Sequence, residues 1–354
     1  MKQFIELAEL GDLDVTKAFP VDPWEKKAER YYRSLITHYQ DSSALNEGIR
    51  ELSELYYQEL AGHLSPSSSR RYHTFVLLIR LFRHTCVNDY ISTLPVCNQV
   101  LESCKREKSD NLALTLVCLH FKMIAFIQLG EFRNGLRMVK QTERLVEKNS
   151  WNWFKTREYL FLLAMRTGRY RYAARVLKQA TDEEDKMVFS QDMIRHWALY
   201  QTYVGLLCRV NKVPVDETFA PSAAAGLNFS DEELSMDLLP LDWVIPNFIV
   251  HILIGLSEQK YDEVENLLKK ADRYVVNGRL RVDHKRSYYF FKLLLLLPEA
   301  NYSRRSLLPR SIPFLWRMVT IRASGQGVVN SYPDPRLEII PYEALWRLLL
   351  TLLN

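Results

Sequence analysis

Apolar residues recur along this chain at the spacing of one helix face, not at the alternation of a strand. Across residues 28–39, Tyr31, Tyr32, Leu35, Ile36 and Tyr39 form one apolar stripe. Asp41-Ser42-Ser43 follows as a turn and helix cap, and Ile49, Leu52, Leu55, Tyr56 and Leu60 make a second stripe. Gly62 and Ser65-Pro66-Ser67-Ser68-Ser69 break the pattern. The periodicity then predicts helices over residues 70–86, 89–106, 110–128, 132–148, 153–167, 170–181 and 189–210. It resumes over 246–258, 261–276 and 282–297. Alternation of Val and Thr is scarce, so an all-α fold is expected.

Two stretches depart from this rhythm. Residues 211–245 contain Pro214, Pro221, Pro240 and the run Ser222-Ala223-Ala224-Ala225-Gly226, and read as a long irregular connection. One short helix is expected there from Ser230, where Ser230-Asp231-Glu232-Glu233 resembles a capping box. Toward the C-terminus, Pro298, Pro309, Pro313, Pro333, Pro335 and Pro341 punctuate the chain. A helix over 311–322, a loop over 323–335 and a last helix over 341–353 are expected, the last opening on Pro at its first turn.

A signature recurs where one helix gives way to the next. It reads Asn88-Asp89-Tyr90-Ile91-Ser92-Thr93, Gly130-Glu131-Phe132-Arg133-Asn134-Gly135, Gly168-Arg169-Tyr170-Arg171-Tyr172-Ala173 and Gln259-Lys260-Tyr261-Asp262-Glu263-Val264. The first position ends a helix where left-handed geometry favours Gly or Asn. The aromatic plugs the gap between two helices, and the small or slim residue lets them approach. Four residues on come Cys97, Val139, Leu177 and Leu268, which continue the buried stripe. The spacing between corners leaves room for one irregular unit around Val210-Asn211-Lys212.

This pattern resembles the tetratricopeptide repeat over about residues 70–280. Residues 155–180 match best, with Gly168, Tyr170, Ala173, Leu177 and Ala180 at the corner and second-helix positions. The first helices mostly lack the family's Trp, Leu-Gly and Tyr set. The resemblance implies a right-handed α-α superhelical solenoid of antiparallel helix pairs whose concave face binds a peptide or protein segment. Carried over by position, that face includes His120, Ile124 and Ile127 in one unit and Lys155, Glu158, Leu162, Met165 and Arg166 in the next. The Lys and Asn set that grips Glu-Glu-Val-Asp-type tails has no counterpart. The implied groove is rather apolar, so it suits an amphipathic helix from a partner or a piece of the protein itself. The organisation read from the sequence is an N-terminal helical cap (1–69), a repeat region (70–280) and a basic, proline-punctuated C-terminal segment (281–354).

Composition narrows the function classes. The 354 residues include 12 glycines, about half the average share. That scarcity argues against all-β and Rossmann-type folds. The net charge of +5 is unevenly spread. Residues 1–60 hold 7 basic and 12 acidic groups, and 211–245 hold 1 and 7. Residues 131–180 hold 12 basic and 4 acidic groups, and 269–354 hold 15 and 6. Such asymmetry points to a charged partner or to mutual attendance within the chain. Basic groups interleave with aromatics at Arg169, Arg171 and Arg175 and again at Arg304, Arg305 and Arg310, a pattern able to hold phosphates.

Chemistry is otherwise sparse. There is no G-x-x-x-x-G-K-[ST], H-E-x-x-H or G-x-S-x-G motif. No two of the eight histidines stand four apart, and the five cysteines contain no C-x-x-C, so no metal or cofactor is expected. The longest apolar stretches, Asn247–Leu256 around His251 and Leu293–Leu297, fall short of the about 20 residues of a membrane span. The acidic first residues lack an apolar h-region, so a cytoplasmic location is expected. The expectation is a non-catalytic scaffold or adaptor that binds a protein or peptide on the concave face. Two alternatives stand beside it: a peptide-sensing regulator, and a helical repeat binding RNA or DNA through residues 131–180 and 269–354.

Overall fold

The computed structural model describes residues 22–41, 46–65, 68–85, 89–106, 112–182, 191–214, 240–273, 284–323 and 336–353. These form 14 α-helices with no strand among them, so the all-α expectation holds. The corner at Asn88, the Ser230 cap, residues 215–239 of the expected long connection and residues 324–335 of the second loop lie outside the described residues. The chain divides into two compact units, one running to Leu129 and one from Gly130 onward. The division falls inside the stretch read from the sequence as a single repeat region.

The first unit contains α1 (Pro23–Asp41), α2 (Asn46–Ala61), α3 (Arg70–Thr85), α4 (Tyr90–Arg106) and α5 (Leu112–Leu129). The stripe on α1 meets α3, where the Tyr32 ring lies 5.8 Å from Phe75 and 5.9 Å from Phe82. Buried Tyr72 donates its hydroxyl to the Leu60 carbonyl at 2.7 Å, which ties α3 to the end of α2. Charged rims reinforce the packing: Lys27 pairs with Glu59, Arg83 with Glu54, and Arg71 with Glu29 at 3.0 Å. α5 packs on α4 and carries buried residues around its whole circumference, from Leu114 to Ile127. By length and mean hydropathy (1.9 over 18 residues) α5 could cross a membrane, a stretch that apolar runs alone did not single out. Eleven of its residues are buried within the unit, as in the core helix of a globular domain.

The second unit contains α6 (Phe132–Glu143), α7 (Trp151–Arg166), α8 (Tyr170–Thr181), α9 (Gln191–Arg209), α10 (Leu241–Ser257), α11 (Tyr261–Ala271), α12 (Lys285–Glu299), α13 (Arg304–Ala323) and α14 (Tyr342–Leu352). From α6 to α13 each helix packs on the next in the chain, and α14 returns to pack on α10. The corners explain this succession. Gly168 (φ 71°), Asn211 (φ 54°) and Gln259 (φ 57°) are all left-handed. After each, an amide reaches back five residues to close the helix end: Arg169 to Ala164 (2.8 Å), Lys212 to Leu207 (2.8 Å) and Lys260 to Gly255 (2.9 Å). Gly130 has φ 72° at the start of the unit.

The slim corner positions also do what their size permits. A Cβ on Gly135 would lie 2.5 Å from Leu163 Cδ2, so only glycine lets α6 sit this close to α7. At the α10–α11 corner the roles are reversed. Gly255 supplies the space, with Val264 Cγ2 2.7 Å from where its Cβ would stand.

Several boundaries differ from the sequence reading. α6 stops at Glu143 instead of 148, and α7 starts at Trp151 because Ser150 caps it by accepting from the Trp153 amide at 3.3 Å. α10 begins at Leu241 and carries Pro246 inside it. α13 begins at Arg304 and carries Pro309 and Pro313. Each of those two prolines removes one helix hydrogen bond, but both are exposed, so water can take the freed carbonyls.

Candidate functional site

The residues of the second unit that carry charge into its interior converge on one segment, residues 336–352. This segment meets α7, α9, α10 and α12 in turn. Arg336 Nη2 lies 2.6 Å from Asp242 Oδ2 at the start of α10. Its Nη1 lies 3.4 Å from Nδ1 of His196 on α9, and His196 Nε2 lies 3.5 Å from the same Asp242 oxygen. A guanidinium can only donate, so His196 Nδ1 accepts in this contact.

Two residues along, the Glu338 carbonyl accepts from Arg166 Nη1 of α7 at 2.8 Å. The Glu338 carboxylate accepts from Arg286 of α12 at 2.8 and 3.2 Å and from the Tyr342 amide at 3.0 Å, which caps α14. Arg286 also donates to Glu343 and, at 2.9 Å, to the Met318 carbonyl. Burial alone would raise the Glu338 carboxyl. The Arg286 and Arg166 charges overcome that and hold it below the usual carboxylate range. Burial would likewise lower Arg286, and the two carboxylates reverse the sign. The Tyr342 ring stacks on Phe290 (4.5 Å, 8°), and its hydroxyl is 2.7 Å from Ser287 Oγ.

Beneath Arg336 lies a second buried group. Glu158 accepts from Lys155 Nζ at 2.5 Å and from Tyr200 Oη at 2.6 Å. Burial pushes its carboxyl up, but the Lys155 and Arg336 charges prevail and hold it well below its ordinary value.

The residues assigned from the resemblance to a binding face are therefore placed as follows. Lys155 and Glu158 are 7% and 6% exposed and neutralise each other, while Leu162 and Met165 are fully buried. Arg166 is half-buried and holds the backbone of residue 338. Apart from half-buried Arg166, none of this set is open to solvent. His120, Ile124 and Ile127 belong to the first unit and are buried in α5. The partners that the sequence did not supply are Arg336, Glu338, Arg286, His196, Asp242, Tyr200 and Tyr342. No local pattern marks them, because Arg166 and Glu338 are 172 residues apart and His196 and Arg336 are 140 apart.

The basic residues separate into two sets. Arg169, Arg171 and Arg175 line a cleft of ≈ 400 Å³ together with Phe132, Gly168, Tyr170, Tyr172 and Lys212. Arg304, Arg305 and Arg310 lie on α13 and do not line that cleft. Arg310 approaches Glu299 at 3.6 Å. α13 also exposes an apolar stripe, Leu308, Ile312, Trp316 and Val319. Three cysteines, Cys97, Cys104 and Cys118, are buried in the first unit, and a hydrogen bond to Cys97 together with burial raises the Cys118 thiol. Among the described residues no group of three or more His, Cys, Asp or Glu side chains is placed to hold a metal. Comparisons with protein-family models, curated proteins and solved structures return no match.

Proposed function

We propose that this chain is a non-catalytic, protein-binding scaffold of tetratricopeptide-like helix pairs, arranged as a right-handed solenoid and working in the cytoplasm. The observation that carries the reading is the seat of residues 336–352. α7 and α10 are the first helices of their corners, and this is the face on which the resembled family binds peptides. Residues 336–352 of the same chain touch this side at Arg166, which donates to a backbone carbonyl, and are held on other helices by charge pairs at Arg336 and Glu338. A face able to order one polypeptide segment through backbone and charge contacts is equipped to order another. The segment thus acts as an internal ligand that a partner replaces.

The buried state of Lys155 makes charge reversal there a poor probe, because it would break the Glu158 pair from within. The better test acts from the side of the internal ligand. Arg336→Glu places a carboxylate beside Asp242 and near Glu158 and should release residues 336–352, with circular dichroism checking that α7 to α10 stay folded. Proximity labelling of this variant and the parent should then mark one saturable protein partner, with the variant marked more strongly. If the variant exposes the segment to protease and yet recruits no saturable partner, the scaffold reading fails.

A further inference from the structure

Several arginines among the described residues are neutralised by a carboxylate. Arg71, Arg83, Arg157, Arg209, Arg286 and Arg336 each face an acidic side chain within 4.0 Å. The cleft at the α7–α8 corner differs from these in gathering several cations at once. Arg169, Arg171, Arg175 and Lys212 converge on it, and its lining contains no Asp or Glu. None of the four forms an ion pair with a described residue, and three of them are exposed side chains of one short stretch. Like charges gathered in one concavity repel each other, and an anion relieves that repulsion.

The backbone adds donors of the same sign. Arg169 is the N-cap of α8 and gives no side-chain cap, and the helix ladder starts only at Ala173, whose amide reaches the Arg169 carbonyl at 3.0 Å. The amides of Tyr170, Arg171 and Tyr172 therefore open toward the cleft end of the helix, where its dipole favours negative charge. The aromatic walls are already engaged. Arg169 lies over the Phe132 ring at 4.2 Å, Arg175 lies 5.6 Å from the Tyr172 centroid, and the Phe132 and Tyr172 rings meet edge to face. Rings already in contact with guanidinium groups are poor platforms for stacking bases. That favours a compact, highly charged oxyanion over a nucleobase.

We infer that this cleft is a phosphomonoester-binding site and that its ligand is a phosphorylated serine or threonine on a partner polypeptide. A phosphomonoester carries about −1.5 to −2 charges and three acceptor oxygens, which match a cluster of arginine forks plus helix amides. A phosphodiester strand carries one charge per phosphate and calls for a track of cations, whereas Arg304, Arg305 and Arg310 lie outside the cleft. The polypeptide source rests on the scaffold reading above. The phosphomonoester chemistry does not.

The test uses the full chain and three probes at about 150 mM salt: O-phosphoserine, a fluorescent degenerate peptide pool centred on phosphoserine with its unphosphorylated twin, and a 12-nucleotide single-stranded RNA. The expected result is binding of the phosphorylated pool, at least tenfold weaker for the twin and for RNA, with O-phosphoserine competing. Arg171→Gln and Arg175→Gln should each weaken binding about tenfold, and adding Lys212→Gln should abolish it, with unchanged circular dichroism. Equal binding of both pools, binding indifferent to these substitutions, or tighter binding of RNA each overturns the site. Retention of O-phosphoserine without the pool overturns only the polypeptide source. The protease and labelling results with Arg336→Glu report separately on the scaffold reading.

Discussion

Arg286 gives the sharpest test of how residues 336–352 are held. It makes five hydrogen bonds: two to Glu338, two to Glu343 and one to the Met318 carbonyl. Arg286→Met keeps most of the side-chain volume and removes every one of them. Glu338 then stays buried with the Tyr342 amide and the more distant Arg166, while Glu343, more exposed, regains water. Removing one partner of a buried pair costs about 3–5 kcal/mol, and rehydration of Glu343 places this case near the lower end. A loss of about 3 kcal/mol raises the opening equilibrium of the segment about a hundredfold. Hydrogen exchange on peptides covering residues 336–352 measures that directly, ahead of any global unfolding. The triple variant Arg286→Met, Glu338→Leu, Glu343→Leu removes both charge signs together and should recover most of the protection, to within about 1 kcal/mol of the parent. Exchange within threefold of the parent for Arg286→Met, or a triple variant as open as the single, would refute the clamp.

Other outcomes follow from the same structure. Glu158 and Glu338 both have folded-state carboxyls held below their ordinary values, so their contribution is complete above the usual carboxylate range and is lost as pH falls from there through the lowered folded values. Glu158→Gln should therefore be less stable than the parent at pH 7, and urea titrations should show the gap narrowing toward pH 3. Gly135→Val should cost about 2 kcal/mol by overpacking against Leu163, and Leu163→Ala should recover part of it, read as a coupling energy in a double-mutant cycle. Gly168→Ala has open space around its Cβ but a left-handed backbone, so a loss of about 1 kcal/mol in thermal or urea unfolding should come from φ alone.

Helix existence was legible because it is written locally. The stripe on residues 31–35, the Gly168-Arg169-Tyr170 corner and the Gln259 stop each act within a few residues, where helix geometry and left-handed termination decide the outcome. Even the irregular corner at Asn211 was visible, because the spacing between the flanking corners left room for it, and its backbone is left-handed, which Asn tolerates. Ends were less legible where tertiary contacts or solvent override propensity, as at the prolines inside α10 and α13. The run Leu112–Leu129 shows the same limit from the other side: it passes for a spanning segment by composition, and its burial on α4 and within the first unit is a property of packing.

The surroundings of residues 336–352 were half visible. The sequence placed Lys155, Glu158 and Arg166 on one side of a first helix, because helical periodicity fixes which residues share a face. It also gathered Arg169, Arg171 and Arg175 on one short stretch. What periodicity cannot encode is which distant segment covers that face. Asp242, His196 and Arg336 have no mutual spacing in the chain, and only the tertiary structure brings them within hydrogen-bond reach. The same holds for Lys212, which joins the arginine cleft from another corner, and for Arg286, which sorts the acidic groups of residues 336–352. The sequence alone determined an all-helical chain with recurring corners and an unevenly charged surface, since those depend on neighbours a turn or two away. The tertiary structure decided which charges are neutralised and which are gathered in one cleft, since that depends on pairings across more than a hundred residues.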